Sequence, residues 1–248
     1  MFTYQIIVEY LGSDFAGWQI QKNGPSIQET LEKILSNFFK EKIKIIGSGR
    51  TDAGVHAKGQ SAHFKIRQKI NNKKIFINSI NFFLQKYSIS ILNIRKRSNL
   101  FHARHNASQR VYEYFIINRI SPLVIEKDKA WHIKKKLDIE AMKRGLKVLK
   151  GTHDFSTFRA SSCQAKSAIK TLKKASIKKN KDKITITFQS QSFLQQQVRS
   201  MVGSLKYLGE GKWNFKYFKR SFISKKRKMC APPAPAHGLF LTKVFYKS

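Results

Sequence analysis

Runs of apolar and β-branched residues, separated by turn-forming residues, predict β-strands along most of the chain. Eight such runs are residues 3–10, 42–49, 59–66, 88–97, 110–119, 168–177, 183–190 and 238–246. Apolar residues at helical spacing predict five helices, at 27–38, 77–87, 137–150, 194–208 and 214–228. Hairpins interspersed with helices in both parts of the chain predict an α+β fold with mainly antiparallel sheets.

Two of these helices carry clear end signals. Ser26 begins the first helix as the N-cap of a predicted capping box, and the apolar stripe that follows ends at Phe38. The helix over 137–150 has Asp138 in its predicted first turn and Gly151 as its stop. Both ends are therefore predicted from local chemistry alone.

The chain carries a large excess of positive charge, with 49 Lys and Arg against 14 Asp and Glu and a formal net charge of +35 at pH 7. Self-repulsion of this size favours a polyanionic partner, and nucleic acid is the first candidate. Biased composition is the alternative, because 37 of the 49 basic residues are lysines. Charge alone leaves both explanations open.

The remaining composition is typical of a folded cytoplasmic protein. A length of 248 residues, 41% of them hydrophobic, suffices for one large domain or two modest ones. No apolar run approaches the roughly 18 residues of a membrane span, so we expect no membrane partner. The two cysteines, Cys163 and Cys230, form no CxxC pair and indicate free thiols in a reducing compartment.

The segment 47–57, GSGRTDAGVHA, is the strongest candidate for a catalytic loop. Three glycines within eight positions, between two predicted strands, describe a tight loop whose backbone can approach a ligand. Arg50 precedes Asp52 by two residues, and the nearby cation favours an ionised carboxylate that could act as nucleophile or base. The alternative is an ordinary turn in which Asp52 caps the backbone and Arg50 is a surface charge.

The sequence lacks the motifs of a phosphate-binding loop and of a zinc site. The loop matches neither of the glycine-rich phosphate-binding patterns GxxxxGK[ST] and GxGxxG. His102 and His105 lie three positions apart, but the chain has no HExxH and no zinc-deaminase motif. We therefore expect neither a metal site nor a phosphate-binding loop.

Aromatic and basic residues are interleaved in FHARHN, QRVYEYF and KWNFKYFKR, a mixture that RNA-binding proteins use for stacking and phosphate contacts. On the strand predicted at 110–119, Tyr112 and Tyr114 share a face, where a tyrosine could stack on a base or belong to the core. In the helix predicted at 194–208, Arg199 lies beside the apolar stripe and is too costly to bury without a carboxylate partner.

The loop GSGRTDAGVHA closely resembles the catalytic-loop motif of the TruA-type tRNA pseudouridine synthases. Further blocks similar to this family follow in family order over nearly the whole chain: GSDFAGWQ at 12–19, FHAR at 101–104, RVYEY at 110–114, DFSTFR at 154–159, FLQQQVRSMVG at 193–203 and PAHGL at 235–239. One block departs from the family, because Gln195, Gln196 and Gln197 replace His and Met types. Arg199 keeps its register in that block.

The resemblance implies a cofactor-free isomerase that converts uridine to pseudouridine at positions 38, 39 and 40 in the anticodon arm of tRNA. Asp52 is then the catalytic aspartate, and Arg50 assists displacement of the target base. Tyr112 stacks on the uracil, and Arg199 pairs with the aspartate. Two more arginines inside the family-like blocks are expected to bind the substrate: Arg104 and Arg110.

The resemblance also implies the pseudouridine synthase fold, with two similar α/β halves whose sheets join around a central basic cleft. We expect residues 1–105 to form the half that carries the catalytic loop, and residues 106–248 to form the half that completes the cleft. The family further implies a homodimer in which tRNA contacts both subunits.

Two rival functions use part of the same features. A non-catalytic RNA-binding or ribosome-associated protein could use the charge and the aromatic residues, but binding alone does not require the trio of Asp52, Tyr112 and Arg199. A nucleotide hydrolase would need a phosphate-binding loop and a second carboxylate near Asp52 in the sequence, and both are missing.

Overall fold

The computed structural model describes residues 1–247, which fold into two compact units. The first unit comprises Met1–Ser108 and the C-terminal segment from Leu241, and the second comprises Gln109–Phe240. Each unit combines helices with mainly antiparallel strands, which confirms the predicted α+β class. No helix within residues 1–247 is long and apolar enough to cross a membrane.

The helices and strands follow one another in this order: β1 (Phe2–Tyr10), α1 (Ile27–Phe39), β2 (Ile46–Gly47), β3 (His56–Ile66), α2 (Lys73–Leu84), β4 (Ile89–Arg97), β5 (Ala107–Asn118), β6 (Trp131–Ile133), α3 (Ile139–Leu149), β7 (Gly151–Asp154), β8 (Ile169–Asn180), β9 (Lys183–Ser190), α4 (Gln197–Gly209), α5 (Phe215–Ile223) and β10 (Leu239–Tyr246).

The sheet of the first unit has the order β4-β1-β3-β10, in which β10 takes part from Leu241 onward. β1 pairs antiparallel with β4 on one side and with β3 on the other, and Tyr10 at its end lies opposite Ala57 of β3. The two residues of β2 pair with β3 at His63 and Ala62. The end of β1 therefore lies beside the start of β3, where the candidate loop 47–57 ends.

Helix α1 begins where the capping chemistry predicts. The buried Ser26 Oγ accepts the Glu29 N–H at 3.2 Å, and the buried side chains follow at intervals of four residues. That interval ends on Phe39, so Phe39 is buried and the predicted stripe residue Phe38 is exposed. The helix is one residue longer than predicted.

In the second unit, the sheet has the order β5-β9-β8-β7 with antiparallel neighbours, and β6 pairs parallel with β5. Asp138 precedes α3 instead of lying in its first turn, because its carboxylate caps the helix by accepting the Ala141 N–H at 2.9 Å. Gly151 follows the end of α3 with a φ of +109°, as a predicted stop should.

Two predicted elements differ from the structure for reasons visible in the hydrogen bonds. The predicted strand 42–49 reduces to β2, because the Ile43 and Ile45 N–H groups donate to Ser36 Oγ and Glu32 Oε1 of α1. Helix α2 begins earlier than predicted, at Lys73. The reason is a cap, since Asn72 Oδ1 accepts the Ile75 N–H at 3.0 Å.

The last two helices are also shorter than predicted. α4 begins at Gln197 because Gln196 has a φ of +60°, a left-handed conformation that cannot continue a helix backwards. α5 ends at Ile223, and the left-handed Lys225 with a φ of +57° follows shortly after. The short strands β6 and β7 had no sequence signal and were not predicted.

Candidate active site

The loop between β2 and β3 carries Arg50 and Asp52, and its first part is tied to β3. The Ser48 N–H donates to the Ser61 carbonyl at 2.7 Å, and Ser48 Oγ donates to Gln60 Oε1 at 2.7 Å. Gln60 Nε2 returns a hydrogen bond to the Gly49 carbonyl at 2.9 Å. The buried polar groups of the loop are thus paired with the neighbouring strand. These hydrogen bonds fix residues 48 and 49, which directly precede Arg50.

The middle of the candidate loop is held by a second loop, residues 11–19, which is the first part of the connection between β1 and α1. Thr51 is buried, its carbonyl accepts the Trp18 N–H at 3.1 Å, and its Oγ1 lies 2.9 Å from the Tyr10 hydroxyl. Gly17 has a φ of +115°, and a Cβ there would lie 2.7 Å from the Thr51 carbonyl oxygen. Glycine is therefore required for the two loops to approach this closely.

Asp52 is half-buried, and it lies at the start of a turn that is closed by a backbone hydrogen bond. Its carbonyl accepts the Val55 N–H at 3.2 Å, and Gly54 adopts a φ of +73° within the turn. On the far side, His56 Nδ1 accepts the Gly12 N–H at 2.9 Å, which ties the exit of the turn to the 11–19 loop. The backbone around Asp52 is thereby held both before and after the carboxylate.

The two arginines of the first unit that were predicted as site residues, Arg50 and Arg104, are exposed. Arg50 is exposed, and its Nε donates to Gln19 Oε1 at 3.2 Å. Arg104 is exposed on the turn after β4, where its N–H donates to His102 Nδ1 at 3.2 Å. An exposed guanidinium can meet a phosphate or a displaced base, so both positions suit contact with RNA.

Three histidines cluster next to this turn. The rings of His102 and His105 lie 4.2 Å apart, and those of His63 and His102 lie 5.0 Å apart. His63 Nδ1 accepts the Ala103 N–H at 3.1 Å, which requires this nitrogen to be unprotonated. Within residues 1–247, no group of three or more potential metal ligands is placed to hold an ion.

Burial of His63 makes the stability of the protein depend on pH. Burial, and then the nearby His102, lower the pKa of His63 to about 4, although the Ile46 carbonyl opposes the shift. Between pH 6.5 and pH 4, the unfolded chain therefore binds a proton that the folded chain does not. We expect the free energy of unfolding to fall by up to about 3 kcal/mol over this range.

Chemical denaturation at a series of pH values measures this effect. His63→Gln keeps an acceptor for the Ala103 N–H and should flatten the dependence. His105→Gln removes only the contribution of His105 to the lowered pKa of His102, so it should change the dependence far less. An unchanged pH dependence in His63→Gln would assign the effect to other groups.

In the second unit, Tyr112 and Arg110 lie on one face of β5. Tyr112 is 8% exposed, lies opposite Phe188 of β9, and receives Phe193 edge-on with the ring centroids 5.2 Å apart. Arg110 is buried, and its Nη1 donates to the Gln191 carbonyl. Both residues are therefore held by the segment that follows β9.

Arg199 lies in α4 and is half-buried beside the turn over residues 231–235. Its Nε donates to the Ala234 carbonyl at 2.8 Å, and the Ala234 N–H donates back to the Arg199 carbonyl at 3.0 Å. Burial raises the pKa of the Tyr114 hydroxyl, and the nearby Arg199 guanidinium opposes this rise. The Tyr114 hydroxyl donates to the Pro235 carbonyl at 2.8 Å, so the turn orients both side chains.

The three glutamines that depart from the family pattern differ in burial and in backbone conformation. Gln195 is exposed, while Gln196 has the left-handed conformation that precedes α4. Gln197 is fully buried, and its Oε1 accepts the Leu194 N–H at 2.8 Å. Its Nε2 is buried and has no hydrogen-bond partner within residues 1–247. Gln197 therefore anchors the start of the helix that carries Arg199.

The predicted residues divide between the two units. The first unit brings Arg50 and Asp52 together on one loop and places Arg104 elsewhere, while the second holds the remaining three: Arg110, Tyr112 and Arg199. The sequence pattern does not identify the residues that support the loop, namely Tyr10, Trp18, His56 and Gln60. The available signal was the pair of glycines in the block GSDFAGWQ, Gly12 and Gly17, since glycine marks close backbone approach.

Comparisons with known proteins identify the family. A family model described as tRNA pseudouridine synthase matches residues 6–106 and 146–247. The tRNA pseudouridine synthase A of Pelagibacter ubique (strain HTCC1062) is 61% identical over 246 residues, covering 99% of this chain and 100% of the relative. The tRNA pseudouridine synthase A of Maricaulis maris (strain MCS10) is 41% identical over 243 residues, covering 98% and 97%. The resemblance is confirmed, and the chain belongs to the tRNA pseudouridine synthase family, a family of isomerases.

Proposed function

We infer that this synthase converts uridine to pseudouridine at positions 38, 39 and 40 in the anticodon arm of tRNA, with Asp52 as the catalytic carboxylate and without a cofactor. The observation that carries the inference is the backbone of Asp52, which is hydrogen-bonded on both sides within the matched segment 6–106. A carboxylate fixed in this way can be presented repeatedly to the same sugar carbon.

The reaction itself explains why a carboxylate and a base-holding face are needed. The bond between C1′ and N1 of the uridine breaks, the uracil rotates while it is retained, and C5 bonds to C1′ and then loses its proton. Asp52 either attacks C1′ or removes a proton from the sugar, and both routes require the ionised form. No atoms are gained or lost overall, so no co-reactant is required.

The target base must first leave its stack, which costs a few kcal/mol. We assign Arg50 to displacement of the base and Tyr112 to stacking on the uracil. The exposed guanidinium of Arg50 and the edge-on support of the Tyr112 ring by Phe193 are compatible with these roles. Arg199 is assigned as the cation that pairs with Asp52, and substrate binding is assigned to two further arginines: Arg104 and Arg110.

The wider assignments follow from the family. Residues 1–105 contribute the catalytic loop, and residues 106–248 contribute the groups that complete the basic cleft. The protein acts in the cytoplasm as a homodimer whose subunits share one tRNA. Light scattering at micromolar concentration tests the dimer, and a monomer under these conditions would contradict the shared tRNA platform.

Tritium release separates catalysis from RNA binding alone. An anticodon stem-loop that carries C5-tritiated uridine at positions 38, 39 and 40 should release its label when the purified protein is added. The same stem-loop with cytidine at these three positions, and labelled uridine elsewhere, should release none. Tight binding without release would favour a non-catalytic RNA-binding protein.

Tyr112 should act through its ring and not through its hydroxyl. We expect Tyr112→Phe to keep kcat within about threefold, and Tyr112→Ala and Tyr112→Leu to lose about 10- to 50-fold, the scale of one base-stacking contact. Tyr112→Leu retains apolar bulk against Phe193, so it separates stacking from the cavity that Tyr112→Ala opens. Single-turnover tritium release measures the effect. Equal defects in the Phe and Ala variants would indicate a role for the hydroxyl.

A further inference from the structure

We propose that the Tyr10 hydroxyl is a positioning group for the reaction, because it fixes Thr51 and thereby the backbone that presents Asp52. This inference rests on the proposed catalytic role of Asp52. It assigns a function to the end of β1, which lies outside the GRTD segment and 41 positions from Thr51 in the sequence.

The contact between the two hydroxyls is buried. Tyr10 is 2% exposed, Thr51 is 6% exposed, and their oxygens lie 2.9 Å apart. The Tyr10 ring packs against Trp18 with the ring centroids 6.1 Å apart, which fixes the direction of the hydroxyl. A buried hydroxyl that loses its partner pays a desolvation cost, so the Thr51 side chain has a strong reason to keep one rotamer.

The position of Thr51 in the loop connects this contact to Asp52. Thr51 directly precedes Asp52, and its carbonyl accepts the Trp18 N–H at 3.1 Å. The peptide bond between Thr51 and Asp52 is therefore held by the hydrogen bond to the Thr51 carbonyl. The side chain of Thr51 is held by the contact of its hydroxyl with Tyr10. After Asp52 the chain is fixed again by the Val55 N–H and by His56. Loss of the hydroxyl contact releases one of these supports and leaves the others in place.

The chemistry has a narrow tolerance for such a release. A displacement of about 1 Å in a reacting group can lower a rate by about 100-fold. A loosened support that still has the Trp18 hydrogen bond should displace Asp52 by less than this. We therefore expect a loss of about tenfold in kcat, with binding of tRNA unchanged because the exposed cationic side chains are not moved.

The same strand offers a matched control. Tyr4 of β1 is 1% exposed, and its hydroxyl accepts the Ile70 N–H at 2.9 Å. Tyr4→Phe and Tyr10→Phe each remove one buried tyrosine hydroxyl from β1, with the contact that it makes to a loop of the first unit. Only Tyr10→Phe removes it from the catalytic loop.

The experiment compares kcat and KM for tRNA in five variants: Tyr10→Phe, Thr51→Val, the double variant of these two, Thr51→Ser and Tyr4→Phe. We expect Tyr10→Phe and Thr51→Val to lose about tenfold in kcat with KM within twofold. The double variant should lose no more than either single variant, because both remove the same contact. Thr51→Ser keeps a hydroxyl and should retain kcat within about threefold, and Tyr4→Phe should retain it fully.

Several outcomes would overturn the proposal. A kcat for Tyr10→Phe equal to that of Tyr4→Phe would do so, as would additive losses in the double variant. If Tyr10→Phe fails to fold, the pair of Thr51→Val and Thr51→Ser decides, and equal kcat values in these two would reject the role. An inactive wild type, or an active Asp52→Asn, would reject the proposed function and this role with it. An active wild type, an inactive Asp52→Asn and an unaffected Tyr10→Phe would reject the positioning role alone.

Discussion

Replacement of Asp52 by asparagine is expected to lower the rate of pseudouridine formation by at least about 10³-fold, while the Kd for tRNA stays within about threefold. The substitution preserves the size of the side chain. It also preserves the hydrogen bonds that hold the loop, from Trp18 N–H to the Thr51 carbonyl and from Val55 N–H to the Asp52 carbonyl, because neither involves the carboxylate. The negative charge is lost, and one acceptor oxygen is replaced by an NH2 donor. Both chemical routes at the sugar require the charge.

Asp14→Asn provides the control for this result. Asp14 is exposed on the 11–19 loop that supports Asp52, so its replacement makes the same change in net charge within the same part of the protein. Its turnover should stay within about twofold of wild type. Single-turnover tritium release gives the rate and filter binding gives the Kd. Turnover in purified Asp52→Asn at more than a few per cent of the wild-type rate would remove Asp52 from the mechanism.

The sequence contained the information needed to find this loop, because its signals are local. Glycines between two strand-like runs indicate a tight turn, and the eleven residues around Asp52 are specific to one family. The N-cap of α1 was predicted for the same reason, since Ser26 and Glu29 lie within one helical turn. Features of this kind depend on neighbours in the sequence, and they appear in the structure where the pattern places them.

The supports of the loop could not be predicted, because their partners are distant in the sequence. Tyr10 meets Thr51 across 41 positions, and Gly12 meets His56 across 44 positions. Neither contact leaves a periodic signal. The predicted strand 42–49 failed for a related reason, since Glu32 of α1 accepts the Ile45 N–H that a strand would have used. Side chains of α1 therefore accept the backbone N–H groups that strand pairing would have used.

The structure also divides the arginines of the family-like blocks by their surroundings. Arg110, Arg159 and Arg199 each donate to backbone carbonyls within the second unit. Arg50 and Arg104 are exposed in the first unit. Three of the five arginines therefore help to hold loops in place. The net charge of +35 is a weaker guide to function than the exposure of individual guanidinium groups.

Replacement of Arg199 by methionine is expected to lower kcat by at least about 100-fold, the scale of losing one oriented charged donor at a reacting centre. Methionine fills a similar volume but cannot donate to the Ala234 carbonyl or pair with a carboxylate. Arg199→Lys keeps the charge but lacks the planar fork that donates to Ala234 and presents further N–H groups, so we expect a loss of at least about tenfold. Both variants are assayed by single-turnover tritium release.

Arg227→Met separates catalysis from packing in this region. Arg227 is also half-buried in the second unit, and its Nη1 donates to Ser200 Oγ of α4 at 2.7 Å, one residue after Arg199. Each methionine variant removes a half-buried guanidinium and a hydrogen bond that it makes with or from α4, so both should lower the melting temperature by similar amounts. Arg227→Met should keep kcat within about twofold, because Arg227 has no assigned role at the uridine. Equal losses of kcat in the two variants would mean that Arg199 acts only through the packing of α4.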